Sequence, residues 1–296
     1  MNARQRGVIE VVMSGVCFGF LGIFGKYLYQ RGVSPGELLT LRFSTAAVLM
    51  LGFHLLRSPS QLRLTLRQLL ACALLGIGGY ALFAFCYFKA LTGISASLTV
   101  LLLYTYPAFV ALGAWIFFGE SIPRQHLWAL PLAGCGLLGL VWGEWTVDRY
   151  ESLAFGIGSS VFYSLYILLS SRLLRGLSPL VSTPYIQLFA GLTMASLYLR
   201  SPERAWAIVS DSWLLVAAIA IICTIMAMSL FLAGLQKLKN WEVSLLSTTE
   251  PLVGVLMATL LLGERLSWEQ SAGALAILMS LVWISRPVPL PKKASH

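Results

Sequence analysis

The amino-acid sequence predicts an all-α integral membrane protein in which ten transmembrane helices form two inverted five-helix repeats. Three observations support this fold class: an apolar composition, a series of long uncharged segments, and a block of sequence that occurs twice. Hydrophobic residues make up 58% of the 296 residues and charged residues only 11%, and the mean hydropathy is +0.80. A soluble domain has roughly 25% charged residues, so this chain has too little charge to cover a water-facing surface.

Ten segments are long and apolar enough to cross about 30 Å of hydrocarbon as helices. In the first half of the chain they are residues 7–29, 37–56, 68–88, 94–118 and 125–143. In the second half they are residues 152–171, 180–199, 212–235, 242–262 and 268–285. Pro107 is expected to bend the fourth span, which lies in an uncharged run longer than one upright helix needs.

The two halves of the chain share one register. A constant shift of 144 positions relates the block Arg31–Pro35 to Arg175–Pro179, and it also relates Pro107 to Pro251 and Gly119-Glu120 to Gly263-Glu264. Five spans per half is an odd number, so the two halves must face opposite ways, as in the inverted repeats of secondary transporters. We therefore divide the chain into a first repeat (1–144), a second repeat (151–286) and a tail (287–296).

The distribution of positive charge predicts the orientation. Most Lys and Arg residues of the connections fall on the face that also holds the N-terminus, and positively charged loops stay in the cytoplasm. Both termini are therefore expected to be cytoplasmic, in a multi-pass protein of the plasma membrane, with a bacterial inner membrane as the expected location. The net charge of +9 follows from this bias, so no nucleic-acid partner is expected.

Residues 90–120 and 234–264 each contain a helix with a central proline, and each ends in Gly-Glu 12 residues after that proline. This pattern resembles the EamA domain of the drug/metabolite transporter superfamily, in two copies, and residues 41–50 (LRFSTAAVLM) resemble the second helix of that domain. The resemblance implies a central cavity lined by helices 1–4 and 6–9, with helices 5 and 10 at the periphery. It also implies transport of small metabolites, often export of amino acids or related compounds, without ATP.

Glu250 is the clearest candidate for a functional residue. It lies near the middle of the ninth span, where a charged group is energetically costly and usually has a function. Pro251 frees a backbone carbonyl beside it. The main hypothesis is a substrate site where the fourth and ninth spans break, formed by Tyr104, Tyr106, Pro107, Ser247, Thr248, Glu250 and Pro251. The carboxyl group could serve as a proton carrier, a counter-charge for a cation or a partner for a substrate amine, and the alternative is a structural carboxyl group.

Aromatic residues offer a second part of this site. Tyr80, Phe83 and Tyr87 fall on one stripe of the third span, and Tyr163 lies in the sixth. Such rings could hold an ammonium group or a flat apolar side chain. Packing or lipid contact is the alternative for all four.

Three charged residues are candidates for gates or charge partners: Arg42, Glu120 and Glu264. Arg42 lies about five residues into the second span, too far from Glu250 along the membrane normal for an easy contact. It could snorkel, form a structural pair, bind a substrate carboxylate or fix an outer gate. Glu120 and Glu264 follow the glycines that end the fourth and ninth spans, and each could pair with a nearby arginine, Arg124 or Arg265.

The predicted function is secondary-active transport of a small metabolite by alternating access, with export of amino acids or related zwitterionic or amine compounds. The partners are then a small-molecule substrate and the lipid bilayer, with proton coupling through Glu250 as an option. A cation or drug carrier, a sugar-phosphate carrier, and a channel or lipid scramblase remain alternatives. An enzyme is not expected, because the chain has no HExxH or GxSxG motif and no Asp within a span, and we predict no catalytic residue, metal site or cofactor.

Overall fold

The structure is a computed structural model that describes residues 1–143, 145–199, 201–262 and 265–286. The helices of the first repeat are α1 (Ala3–Gln30), α2 (Pro35–Arg57), α3 (Leu66–Ala90), α4 (Ala96–Leu103 and Tyr106–Phe118) and α5 (Ala129–Leu140). The helices of the second repeat are α6 (Glu151–Leu173), α7 (Pro179–Tyr198), α8 (Pro202–Leu235), α9 (Asn240–Leu246 and Thr249–Leu262) and α10 (Trp268–Ser285). Among the described residues, β-structure is limited to one isolated bridge between Ile94 and Val147.

Eight of these helices, α1–α4 and α6–α9, are long and apolar enough to cross a membrane. The other two predicted spans form α5, with 12 residues, and α10, with 18 residues. They pack against each other, so the fifth helix of each repeat lies against its counterpart. The structure therefore supports a multi-pass, all-helical membrane protein, while the predicted number of ten spans is not confirmed.

The repeated block Arg-Gly-x-Ser-Pro encodes the same turn twice. Gly32 and Gly176 have φ values of 76° and 77°, a left-handed conformation that favours glycine after a helix end. Pro35 and Pro179 begin α2 and α7. Proline is tolerated there because the backbone N–H that it lacks would have no hydrogen-bond partner within the first turn of the helix. The sequence repeat is thus a repeat of helix end, turn and helix start.

Two kinds of irregularity also recur in both repeats. Helices α4 and α9 are each interrupted, and Pro107 and Pro251 lie in the first turn after the interruption. Helices α3 and α8 each contain a π-helical segment, Leu75–Ala81 and Ile221–Met226, at positions that the 144-residue shift superimposes to within two residues. The predicted bend at Pro107 is confirmed, whereas the π-helical segments have no marker in the sequence.

The two repeats pack through pairs of helices that join one repeat to the other. Helix α2 packs on α7, α3 on α6, and α1 on both α8 and α9. Gly15 and Gly19 bring α1 close to Thr249 and Val253 of α9, because small residues allow two helices to pack tightly.

The connections lie on two faces of the bundle. One face, called the N-terminal face, holds the N-terminus and connections 58–65, 119–128, 174–178 and 236–239. On this face Arg4 contacts Glu242, and Lys237 contacts Glu10. The opposite face holds connections 31–34, 91–95, 145–150 and 265–267. There Arg31 contacts Ser212, and the backbone N–H of Asp148 donates to Gly93.

Candidate binding site

A cavity of about 460 Å³ lies between α1, α2, α3, α4, α6 and α9. Its deep end holds Glu250 and Tyr106, and it extends toward the opposite face, where Tyr29, Leu91 and Ala96 line it. Binding pockets for small molecules have volumes of about 300–1,000 Å³, so the space suits a small metabolite.

The interruptions of α4 and α9 supply the polar end of this cavity. Glu250 lies in the first turn of the second α9 segment, and its backbone N–H donates to the Ser247 carbonyl at 3.0 Å. Tyr104 ends the first α4 segment, and its phenol group lies beside the Glu250 carboxyl group in the lining of the cavity. The two broken helices therefore meet at a carboxyl–phenol pair that faces the cavity.

Aromatic rings form one continuous wall beside this pair. The ring of Tyr163 lies 4.7 Å from that of Tyr106 and 4.8 Å from that of Phe83, and the rings of Phe83 and Tyr80 are 5.1 Å apart, all measured between centroids. Tyr106 also donates to the Ser244 carbonyl at 3.2 Å, which fixes the ring at the floor. The wall can contact an apolar or aromatic group, or a cation by cation–π attraction.

Arg42 lies in the same cavity and is only 4% exposed, so the snorkelling alternative is wrong. Its Nε atom donates to Thr224 Oγ1 at 2.8 Å, and its Nη2 atom donates to the Tyr80 hydroxyl and the Cys223 carbonyl, both at 3.0 Å. Thr224 and Cys223 belong to the π-helical segment of α8, and Tyr80 belongs to that of α3. The guanidinium group therefore joins the two repeats, and it holds a positive charge in the cavity that contains Glu250.

Nine of the predicted site and partner residues line the cavity: Tyr80, Phe83, Tyr87, Tyr104, Tyr106, Tyr163, Glu250, Pro251 and Arg42. Three predicted site residues lie outside its lining. The hydroxyl groups of Ser247 and Thr248 donate to the carbonyls of Val243 and Leu245 within α9, and Pro107 is buried in α4. These three residues shape the interruptions of α4 and α9 instead of facing the cavity.

Glu120 lies on the N-terminal face, away from this cavity. Its carboxylate accepts from the Asn240 side chain at 2.8 Å and from the Asn240 backbone N–H at 3.0 Å. Among the residues that the structure describes, its partner is thus the start of α9 and not the predicted Arg124. Glu264, the third predicted gate residue, lies outside the described residues, as do Gly263 and the tail 287–296.

The resemblance implied that α1 and α2 line the cavity, but the predicted site residues included none of α1 and only Arg42 of α2. Phe18 and Tyr29 of α1 and Phe43 of α2 line the cavity, and the Arg42 guanidinium lies over the rings of Phe18 and Phe43 at 5.6 and 5.2 Å. Phe18 did carry a signal, since the repeat shift places it on Phe162. Tyr29 and Phe43 have no aromatic counterpart in the second repeat, so the repeat pattern could not single them out.

The chain matches the sequence profile of the EamA-like transporter family over residues 5–142 and 151–286. The chain belongs to this family. The match falls on both repeats, which confirms the resemblance identified from the paired Pro and Gly-Glu residues. This EamA-like protein is therefore a multi-pass membrane protein of a transporter family, and a small-molecule substrate and a lipid bilayer are its partners.

Three named proteins are similar to this EamA-like chain. It is 26% identical over 286 residues to the uncharacterized transporter YcbK of Bacillus subtilis, covering 90% of this chain and 88% of that protein. It is 24% identical to the uncharacterized inner membrane transporter YicL of Salmonella typhimurium, covering 96% and 97% of the two chains. A probable amino-acid metabolite efflux pump of the same species is 28% identical over 224 residues, which cover 70% of this chain and 74% of that protein.

A crystal structure with 19% sequence identity matches with a TM-score of 0.80. The match covers 94% of this chain and 95% of the other. At this identity the match shows a shared fold over nearly the whole chain.

Proposed function

We propose that this EamA-like protein is a secondary-active transporter that exports amino acids or related zwitterionic or amine compounds by alternating access. The observation that carries the proposal is the 460 Å³ cavity, which ends at the Glu250–Tyr104 pair between two broken helices. Interrupted helices free backbone polar groups at mid-membrane depth, where transporters bind their substrates.

The chemistry of the cavity favours a zwitterion. Glu250 and Tyr104 can bind an ammonium group, and the wall of Tyr80, Phe83 and Tyr163 can contact the rest of the molecule. The hydrogen bonds of Arg42 to described residues use its Nε and Nη2 atoms, so its Nη1 atom is the one that a substrate carboxylate would meet. A sugar phosphate would call for several cations, and Arg42 is the sole Lys or Arg among the described residues that line this cavity.

The contacts on the N-terminal face support a carrier over an open channel. There Arg4 donates to Glu242 at 2.8 Å, and Glu120 holds the start of α9 through Asn240. Trp241 lies below the cavity floor and is only 2% exposed. Its position near the end of a span predicts an interfacial residue, but its side chain is buried in the packed side of the bundle. A cavity that opens to one side over a packed second side fits one state of an alternating-access cycle.

The charge distribution orients the cavity in the membrane. If the Lys- and Arg-rich N-terminal face is cytoplasmic, the cavity opens to the outside, and the protein is in the state that releases an exported substrate. The name of the related efflux pump, at 28% identity, supports export of amino-acid metabolites. Glu250 is the group that would exchange a proton for the substrate amine if transport is coupled to protons.

The test is counterflow in proteoliposomes that are loaded with amino acids, polyamines, quaternary amines or sugar phosphates. We expect saturable exchange of labelled zwitterions or amines and no exchange of sugar phosphates. Exchange of sugar phosphates alone would contradict the substrate class. Flux that does not saturate with any substrate would contradict a carrier and favour the channel or scramblase alternative.

A further inference from the structure

The inverted repeat gives every residue of the cavity lining a counterpart in the other half of the bundle. The 144-residue shift relates the starts of α2 and α7 at Pro35 and Pro179, and it superimposes the interruptions of α4 and α9 to within one residue. The cavity opens toward the opposite face. Gly19 and Tyr106 have counterparts, Tyr163 and Glu250, that line the cavity as well. Because the repeats are inverted, the counterparts of the lining residues in α2 and of Val100 and Leu103 in α4 are expected in the half that is packed against the N-terminal face.

Several of these counterparts are polar where the cavity residues are apolar. Leu38, Leu39 and Phe43 of α2 line the cavity, and the same positions in α7 are Ser182, Thr183 and Gln187. Val100 and Leu103 of α4 also line it, and the same positions in α9 are Ser244 and Ser247. All five polar side chains are buried.

In two residues of this set, Thr183 and Gln187, the side-chain polar groups lack hydrogen-bond partners among the described residues. Both residues are fully buried, one helical turn apart on the same side of α7. Within the part of the chain that the structure describes, the Thr183 hydroxyl group and both polar atoms of the Gln187 amide have no hydrogen-bond partner. Buried polar groups are normally hydrogen-bonded, so an amide without any partner requires an explanation.

We propose that Thr183 and Gln187, with Ser182, Ser244 and Ser247, form a second polar surface that contacts substrate and water when the cavity opens to the N-terminal face. The inference rests on the proposed alternating-access function. Rocking one repeat against the other would expose the counterparts of the present lining, and the Thr183 and Gln187 side chains would then find the partners that they lack in this state.

The chemistry of this surface differs from that of the cavity. The position of Arg42 is taken by Ile186, and that of Tyr80 by Thr224. Neutral hydroxyl and amide groups therefore replace a guanidinium group and a phenol. Such a surface binds polar groups of either sign weakly, which suits the entry of a zwitterion or an amine from the N-terminal face.

Single cysteines test this surface in a variant that lacks Cys17, Cys72, Cys86, Cys135 and Cys223. Gln187→Cys is compared with Ala190→Cys, which is equally buried on the same helix but is the counterpart of Ala46, a residue outside the cavity lining. A membrane-impermeant maleimide is added from the N-terminal face during counterflow. We expect labelling at position 187 to be faster than at position 190 by a factor on the order of ten, because only position 187 becomes accessible during the cycle.

Equal, slow labelling at both positions in variants that still catalyse counterflow would overturn the inference and leave the proposed function intact. Absence of counterflow in the cysteine-free parent and in the wild type would instead overturn the proposed function, and the inference with it. Thr183→Cys repeats the test if Gln187→Cys does not fold.

Gln187→Leu gives a second readout that a merely structural residue would not produce. Leucine has a similar size and needs no hydrogen bond, so it should stabilise the present state and raise the melting temperature. The same change should slow counterflow by a factor on the order of ten, because the state that solvates this position becomes less populated. A Gln187→Leu variant with wild-type counterflow would contradict the proposal.

Discussion

Arg42 connects parts of the molecule that are far apart in the sequence. Its three hydrogen bonds reach Tyr80, Thr224 and Cys223, and its buried charge lies over the rings of Phe18 and Phe43. Guanidinium supplies several donors in a fixed plane, whereas the ammonium group of lysine is a single point charge. Arginine is therefore required at this position to hold both π-helical segments at once.

The first prediction concerns this residue. Arg42→Lys should lower the melting temperature, with a loss of about 2 kcal/mol from hydrogen bonds to a charged group, and should reduce counterflow. Arg31→Lys is the matched control, since Arg31 forms an exposed pair with Asp211 and such pairs contribute only about 0–1 kcal/mol. Equal effects of the two changes on the melting temperature would contradict the assigned role of Arg42.

Tyr104 provides the second prediction at this scale. Tyr104→Phe keeps the ring and removes a hydroxyl group that lies beside Glu250 in the cavity lining, so substrate affinity should fall by a factor on the order of ten, as expected for one lost hydrogen bond to a charged group of the substrate. The measurement is the substrate concentration at half-maximal counterflow. Tyr27→Phe, at an exposed tyrosine of α1 outside the cavity lining, should leave that concentration unchanged.

At the scale of helices, the contact between α1 and α9 places Glu250. A Cβ atom at Gly19 would lie 2.7 Å from two carbon atoms of Val253 and 3.0 Å from the Glu250 carbonyl oxygen. Distances this short require the helices to move apart. The glycine therefore sets the distance between the wall of the cavity and the turn that carries its carboxyl group.

Gly19→Ala should accordingly reduce stability by about 1–3 kcal/mol, as expected for overpacking. Gly22→Ala is the control one turn away, where a Cβ atom would have no neighbour within 4 Å. There the smaller entropy of the unfolded chain should raise stability slightly, by up to about 1 kcal/mol. Thermal unfolding in detergent distinguishes the two, and a stabilised Gly19→Ala variant would show that this contact is loose.

The sequence was informative about the elements that proline and glycine control. Pro107 and the turn glycines change backbone geometry locally, so their effects on α4 and on the helix ends could be predicted. The π-helical segments of α3 and α8 could not, because they depend on packing between helices, which includes the contact of Gly76 with α7. The partners of Arg42 were missed for the same reason, since two of them lie in the π-helical segment of α8.

At the scale of the whole molecule, the contacts on the N-terminal face hold the present state. Glu120 ties the end of α4 to the start of α9, so the two broken helices are joined at the closed side. The other end of α4, which begins at Ala96, borders the cavity. Loss of the tie between Glu120 and Asn240 should therefore favour opening of the N-terminal face and closure of the cavity.

Glu120→Ala tests this coupling through the reactivity of a cysteine at Ala96 toward an impermeant maleimide. We expect labelling from the opposite face to slow by a factor on the order of five, because the cavity-open state loses two hydrogen bonds to a carboxylate. Glu269→Ala, at a partly exposed carboxyl group of α10, should leave labelling unchanged. Unchanged labelling in both variants would show that Glu120 does not hold the closed face.

Two carboxyl groups, one inside the cavity and one at the N-terminal face, allow the most direct test of the proposed site. Glu250 faces the cavity, whereas Glu10 lies in α1 and pairs with Lys237 outside it. We would measure counterflow of a labelled zwitterion with the wild type, Glu250→Gln and Glu10→Gln in proteoliposomes. The proposed site predicts that only Glu250→Gln loses exchange, whereas full exchange by folded Glu250→Gln would contradict a role for this carboxyl group in transport.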